Sequence, residues 1–397
     1  MAARLLVRDT GKPLSQALGE VNATSMRVKY LASIAQDTLK PQEVRSRGTM
    51  TELILREPLG IVANISAWNY PYFVGSNVWA AALLAGNAVL YKPSEYCPGT
   101  ASFVADLWRM AGLPDGFFQV MSETRQAGQF IIQEADVDAI CFTGSVATGR
   151  IIAATAAPRM IKLQLELGGK DPAYVCDDVA DITQVAQALA DGAFYNAGQS
   201  CCSVERIYVH EKVYDTFVEA FVQEVNSFQV GSEWDASTYL GPLCLPSQPA
   251  FLRRQVDDAI SKGAKVVTKK IPCLTPRHFV PTVLIDVDHS MDIMREESFG
   301  PVIGIQKVHS DAESVALMDD TTYGLTASVY TDDKQRALSI LGQLKTGTAY
   351  WNACDRVSPY LPWSGRRDSG IGATLSHIGI LSMTHPRAYH LNSPTVS

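Results

Sequence analysis

IVANISAWNYPYFVGSNVWAAALLAGNAVLYKPSE, running from Ile61 to Glu95, contains one complete structural unit. Ile61–Ser66 is a short apolar run of strand length, Ser76–Ala85 is an apolar helix candidate, and Ala88–Tyr91 is a second strand run. Buried strands separated by helices predict a parallel sheet covered on both faces. The pattern continues outward. Phe118–Met121 and Ala139–Phe142 read as strands, while Ala101–Ala111, Gln126–Gln133 and Thr148–Met160 read as helices. From Glu166 on it repeats, with strands at Ala173–Cys176, Arg206–Val209, Thr282–Asp286, Val302–Val308, Ala327–Tyr330 and Thr348–Trp351. Helices Ile182–Asn196, Val213–Phe228, Phe251–Lys262 and Lys334–Leu344 lie between them. Gly168-Gly169 marks a seam. Upstream, Pro13–Gln36 has helical spacing and Thr49–Leu55 alternates like a half-exposed strand; downstream, Arg387–Leu391 is a short strand candidate. The reading is an α/β protein of two lobes with a strand appendage.

Composition limits what such a chain does. Its 397 residues are 47% hydrophobic and 19% charged, which excludes a disordered or fibrous protein and gives two to three domains. A net charge of −7 provides no basic field, so neither nucleic acid nor an anionic membrane surface is an expected partner. The longest apolar run, Val78–Ala85, is far below the roughly 18 residues of a membrane span. Arg4, Arg8, Asp9 and Lys12 interrupt the place of a secretory apolar region. A soluble cytoplasmic protein is expected, an organelle being left open. The eight cysteines form no C-x-x-C pair, so no metal site is expected; most read as small buried hydrophobes in a reducing compartment.

Five loops carry candidate chemistry. Gly198-Gln-Ser-Cys201 offers a thiol where backbone approaches a cleft, against the blander reading of a buried Cys201-Cys202 pair. Glu166 sits in the apolar run from Leu163 to Leu167, where desolvation would raise its pKa toward that of a general base. Trp68-Asn-Tyr-Pro71 follows a strand end, and the amide of Asn69 could donate to an oxyanion or merely satisfy its own turn. Phe142-Thr-Gly-Ser145 opens a helix and could meet a phosphate, yet lacks both the third glycine of G-x-G-x-x-G and the Lys of a Walker loop. Lys92-Pro-Ser-Glu95 pairs a cation for phosphate or ribose with a carboxylate for a ribose diol.

Taken in order, these motifs, with Leu165-Glu-Leu-Gly-Gly-Lys170, Glu297-Ser-Phe-Gly-Pro301 and Ser369-Gly-Ile-Gly372, resemble the NAD(P)-dependent aldehyde dehydrogenase superfamily over nearly the whole chain. The resemblance implies two doubly wound Rossmann-like lobes and a small β oligomerisation appendage. Residues 1–38 and 58–167 would bind the cofactor, 168–372 would be catalytic, and 39–57 with 384–397 would join subunits into a homodimer or homotetramer. It implies Cys201 as nucleophile, Glu166 as the base for deacylating water, and Asn69 with the Cys201 amide as oxyanion hole. NAD, with NADP as the alternative, would contact Ser66, Trp68, Lys92, Ser94, Glu95, Thr143, Gly144, Ser145, Gly168, Glu297 and Phe299. Glu95 favours NAD, because a 2′-phosphate would face its carboxylate. Tyr70, Tyr195 and Trp363 would line the tunnel for a small-molecule aldehyde, resembling betaine-aldehyde and aminoaldehyde dehydrogenases. A tunnel for generic apolar aldehydes fits as well, since Asn77 replaces an aromatic of those enzymes.

The chain also departs from the family. It opens inside a family segment, at Leu5–Pro13, so several dozen upstream residues of the cofactor lobe are expected to be absent. Val78 stands in place of a Lys, and Ala373-Thr374 replaces an Arg-Glu pair that serves as a secondary proton relay. Two alternative functions follow: a catalytically impaired fold with a structural or binding role, or a CoA-acylating relative. A thiol protease lacks a recognisable histidine partner motif.

Overall fold

A computed structural model describes residues 1–271 and 273–394. Helices α1 (Ala2–Thr10) and α2 (Leu14–Leu39) precede the hairpin of β1 (Gln42–Arg47) and β2 (Met50–Pro58). Strand–helix alternation follows: β3 (Ile61–Ile65), α3 (Pro71–Leu84), β4 (Ala88–Lys92), α4 (Pro98–Met110), β5 (Phe118–Val120), α5 (Arg125–Gln133), β6 (Ala139–Thr143), α6 (Val146–Ala156) and β7 (Lys162–Glu166). The next stretch holds β8 (Asp171–Val175), α7 (Ile182–Phe194), β9 (Val204–His210), α8 (Tyr214–Val225), α9 (Gln248–Ser261), β10 (Lys265–Val266), β11 (Thr282–Ile285) and β12 (Val302–Val308). The chain finishes through α10 (Asp311–Asp319), β13 (Thr326–Tyr330), α11 (Lys334–Leu341), β14 (Thr348–Trp351), β15 (Gly370–Ile371), α12 (Ser376–Ser382) and β16 (Thr384–Asn392).

Three sheets result. The first has the order β15-β7-β6-β3-β4-β5 and is parallel except for β15; the second has the order β10-β11-β12-β9-β8-β13-β14 and is parallel except for β10. Every residue of β8 and β9 is buried, because helices cover both faces. Phe194, Phe217 and Phe221 pack with Ile207 and Val209 to form the core of that lobe. In the first sheet the strand order reverses between β3 and β6, leaving a crevice at their carboxyl ends where open α/β sheets take ligands. The third sheet, β1-β2-β16, is antiparallel and largely exposed.

Some elements differ from the sequence reading. The helix read from Pro13 to Gln36 is α2, and a separate α1 precedes it, closed by Gly11 in the left-handed region (φ 79°). The strand read at Thr49–Leu55 extends over Met50–Pro58 and pairs with β1, which has no alternation to read because all six of its residues are exposed. The tail strand Arg387–Leu391 spans Thr384–Asn392, and residues 395–397 of the segment assigned to it lie outside the described residues. β15, read as the end of the second lobe, instead pairs with β7 and becomes an edge of the first sheet. Among the cysteines, Cys273 is exposed rather than buried.

Candidate active site

Cys201 reaches its place through an unusual backbone path. Asn196 and Ala197 both have φ 55° and Gly198 has φ 69°, three successive left-handed residues that turn the end of α7 sharply inward. Only glycine fits at 198, since a Cβ there would lie 2.4 Å from the Gly300 carbonyl oxygen. The loop is pinned by side chains: Gln199 Nε2 donates to Asn196 O (3.0 Å), and Gln199 Oε1 accepts from Cys244 N (2.9 Å). Cys201 emerges half-buried on a cavity of about 610 Å³. The adjacent Cys202 is buried and committed. Its Sγ donates to Asp355 Oδ1 (3.0 Å), and its hydrogen bonding with Cys201, together with burial, holds the thiol well above its ordinary pKa. Of two neighbouring sulfurs, Cys201 is therefore the accessible one.

Glu166 ends β7, between β6 and β15, and lines the same cavity. Its Oε1 accepts from Thr374 Oγ1 (2.5 Å) and Gln164 Nε2 (3.4 Å). Burial raises its pKa against the opposing pull of those donors and of the Arg27 charge. Asn69 lies beside the nucleophile loop, its Nδ2 donating to Gln199 O (3.2 Å), rather than on the open cavity wall. Tyr70, Tyr195 and Trp363 all line the cavity, as does Thr143, which the sequence reading grouped with the cofactor residues.

Sequence reasoning missed the residues that hold the Asn69 turn. Lys12 Nζ donates to Asn69 O (2.8 Å) and to Glu20 Oε2 (2.5 Å), and lies 3.6 Å from the centre of the Tyr70 ring. Glu20 Oε1 then accepts from the backbone amides of Tyr72 (3.0 Å) and Phe73 (3.2 Å) at the start of α3. Both charges are almost fully buried. Lys12→Met strands the Glu20 carboxylate, and we expect a loss of about 3–5 kcal/mol of stability. Chemical denaturation measures it, and Lys12→Met with Glu20→Leu should recover part of the loss.

The remaining candidates gather around the crevice of the first sheet and its border with the second. Ser66 follows β3, its amide donating to Lys92 O (3.0 Å), and Trp68 packs edge-on against Phe299 at 5.4 Å between ring centres. Lys92 is buried at the end of β4 and makes no ion pair among the described residues; burial lowers its pKa against the opposing charges of Glu95 and Glu123. Ser94 Oγ donates to Glu95 Oε2 (3.4 Å). Gly144 and Ser145 open α6, and Ser145 Oγ caps Thr148 N (3.3 Å). Glu297 Oε1 accepts from Gly169 N (2.9 Å), and burial pushes its carboxyl up to about 8. A Cβ at Gly168 would collide with the Glu297 carboxylate at 2.5 Å. Buried Glu205, paired with Lys170, accepts from the amides of Ser298 and Phe299 and so fixes this loop. A buried cation with no ion pair among the described residues, a carboxylate and a helix N-terminus are a set that suits a dinucleotide.

The sequence profile of the aldehyde dehydrogenase family matches residues 1–389. The chain belongs to this family. It is 33% identical over 396 residues to a peroxisomal aminoaldehyde dehydrogenase of Pisum sativum, covering 97% of this chain and 78% of the relative. A mitochondrial aldehyde dehydrogenase of Leishmania tarentolae is 34% identical over 392 residues, with 98% and 78% covered. The fold matches the crystal structure of an NAD-dependent aldehyde dehydrogenase from Sinorhizobium meliloti with a TM-score of 0.95 at 32% identity, covering 100% of this chain and 79% of the other. An NADP-dependent glyceraldehyde-3-phosphate dehydrogenase from Bacillus halodurans, complexed with NADP, matches at 0.93 and 32%, with 99% and 83% covered. This aldehyde dehydrogenase thus has the α/β fold and the NAD(P)-dependent aldehyde oxidation of its family. No helix among the described residues is long and apolar enough to cross a membrane.

Proposed function

We propose that Cys201 is the nucleophile, Glu166 the base that activates the deacylating water, and Asn69 with the Cys201 amide the oxyanion site. The carrying observation is that the half-buried Cys201 and the buried Glu166 line one cavity; Cys202 borders it too, but its thiol is buried and bound to Asp355. Cys201 Sγ adds to the aldehyde carbon, and the Asn69 amide balances the charge growing on oxygen. NAD(P), when bound, supplies hydride acceptance. Cys201 then carries the acyl group as a thioester, and Glu166 takes a proton from the water that releases the acid. Ser66, Trp68, Thr143, Gly144, Ser145 and Gly168 would frame the cofactor. Lys92, Ser94 and Glu95 would hold its adenosine ribose, and Glu297 and Phe299 its nicotinamide end. The Glu95 carboxylate supports a preference for NAD.

The substrate is an uncharged aldehyde with an apolar or aromatic chain. Tyr70, Tyr195 and Trp363 supply ring surface, but the Lys12 ammonium already sits on Tyr70, and the Arg27 cation borders the cavity. A cationic head would find the Tyr70 ring already occupied by Lys12, although Glu20, Glu166, Asp191 and Asp355 also line the cavity. The exposed sheet of β1, β2 and β16 supports a homodimer or homotetramer, and the free cysteines support a reducing compartment such as the cytoplasm. Steady-state rates with hexanal and betaine aldehyde, each with NAD and NADP, test the reading. Hexanal with NAD should give the largest kcat/KM; preferential turnover of betaine aldehyde would overturn the substrate assignment.

A further inference from the structure

Arg27, which borders the cavity, is a buried cation to which the catalytic steps above assign no role. It lies on α2, 1% exposed, and pairs with no carboxylate among the described residues. Its Nη1 donates to Phe73 O (2.9 Å) and Asn77 Oδ1 (2.5 Å), its Nη2 donates to Val357 O (3.3 Å), and its plane covers the Phe73 ring at 3.2 Å. Its Nε has no hydrogen-bond partner among the described residues. A guanidinium taken out of water in this way is costly unless an anion compensates it. Two carboxylates act on it, Glu166 more strongly than Glu20. Glu20 already serves Lys12 and two backbone amides. Glu166 is the anion left.

Asn77 connects the two. Its Oδ1 accepts from Arg27, and Arg27, Asn77 and Glu166 line the same cavity, where the Asn77 amide is one of the groups that lower the Glu166 pKa against burial. The other groups facing Glu166 are neutral. They are Thr374 before α12, Gln164 on β7 itself and the Cys141 thiol of β6, which burial raises to about 12. The Cys202 thiol near Arg27 is also held in its neutral form. Arg27 is therefore the cation that acts on Glu166 among the described residues, Arg356 also lining the cavity.

We propose that Arg27 is a positioning residue for Glu166, bridged to it by Asn77 and supplying the positive charge that its buried carboxylate otherwise lacks. The proposal rests on the reading of Glu166 as the deacylating base. It is tested by the decay rate of the acyl-enzyme, measured against pH in single-turnover experiments on the full chain with NAD and hexanal. In Arg27→Gln, the acidic limb of that profile moves up by roughly one unit or more, while the hydride burst keeps its amplitude. Arg27→Lys restores most of the limb, and Asn77→Ala moves it in the same direction by less. In a Glu166→Gln background, Arg27→Gln adds no further loss of deacylation. An unmoved limb in both Arg27→Gln and Asn77→Ala, or an equal added loss in the Glu166→Gln background, overturns the proposal while leaving the base assignment standing. Should Arg27→Gln fail to fold, the Asn77→Ala limb decides alone. Full deacylation by Glu166→Gln removes the base assignment and the proposal with it.

Discussion

Cys201→Ala forms no NADH above background with any aldehyde, a loss on the order of 10⁴-fold or more, while NAD still binds. The size of the effect follows from the surroundings of the two adjacent thiols. Cys202 cannot substitute, because its proton is donated to Asp355 and its sulfur is buried. A fluorescence titration with NADH verifies the retained cofactor site, so a silent variant is not mistaken for an unfolded one. The converse variant, Cys202→Ala, keeps turnover within several-fold of the native chain. Steady-state oxidation by Cys201→Ala at the native rate would show that another nucleophile acts.

Glu166→Gln separates the two half-reactions. Its amide preserves the shape of the carboxylate and keeps an acceptor for Thr374, but it cannot take a proton from water. Rapid mixing with NAD and hexanal should give a burst of close to one NADH per active site, followed by turnover slowed about 10²–10⁴-fold. In the native chain, steady-state activity falls as pH drops through the Glu166 pKa, since only the ionised form is a base and burial sets that pKa above the ordinary carboxylate value. The burst amplitude in Glu166→Gln should be independent of that limb.

Much of the fold was legible because its strands are buried on both faces and its helices separate them. Ile61–Ile65 and Ala139–Thr143 are apolar for that reason, and they read as strands without any periodicity argument. The exposed strand Gln42–Arg47 left no pattern, because alternation needs one face in the core. Helix α1 has a legible pattern, with Ala3, Leu6, Val7 and Thr10 forming one buried face at helical spacing, but Arg4, Arg8 and Asp9 interrupt it. Helix α10 is announced only by a local signal, Ser310 capping Glu313 N, with few buried residues to mark a face.

The site divides in the same way. Cys201, Glu166 and Asn69 sit in short motifs whose order is itself informative. Lys12, Glu20 and Arg27 do not. Gln16, Glu20, Arg27 and Leu31 share the buried side of α2, yet charged residues on a helix normally mean a solvated face. Their partners, Asn69, Phe73 and Asn77, are some fifty residues away in sequence, so only the folded chain shows what those charges do. Asp355 was likewise invisible. Its carboxyl, pushed by burial up to about 7, matters through its contact with Cys202 and Ser200, and not through any motif of its own.

The most direct test is to mix Glu166→Gln with NAD and hexanal, quench within the burst and locate the acyl group by peptide mass spectrometry. The hexanoyl mass should fall on the peptide containing Cys201 and map to that sulfur, in close to one equivalent per chain. An acyl group on Cys202 or another side chain, or NADH released with no covalent adduct, would contradict the account.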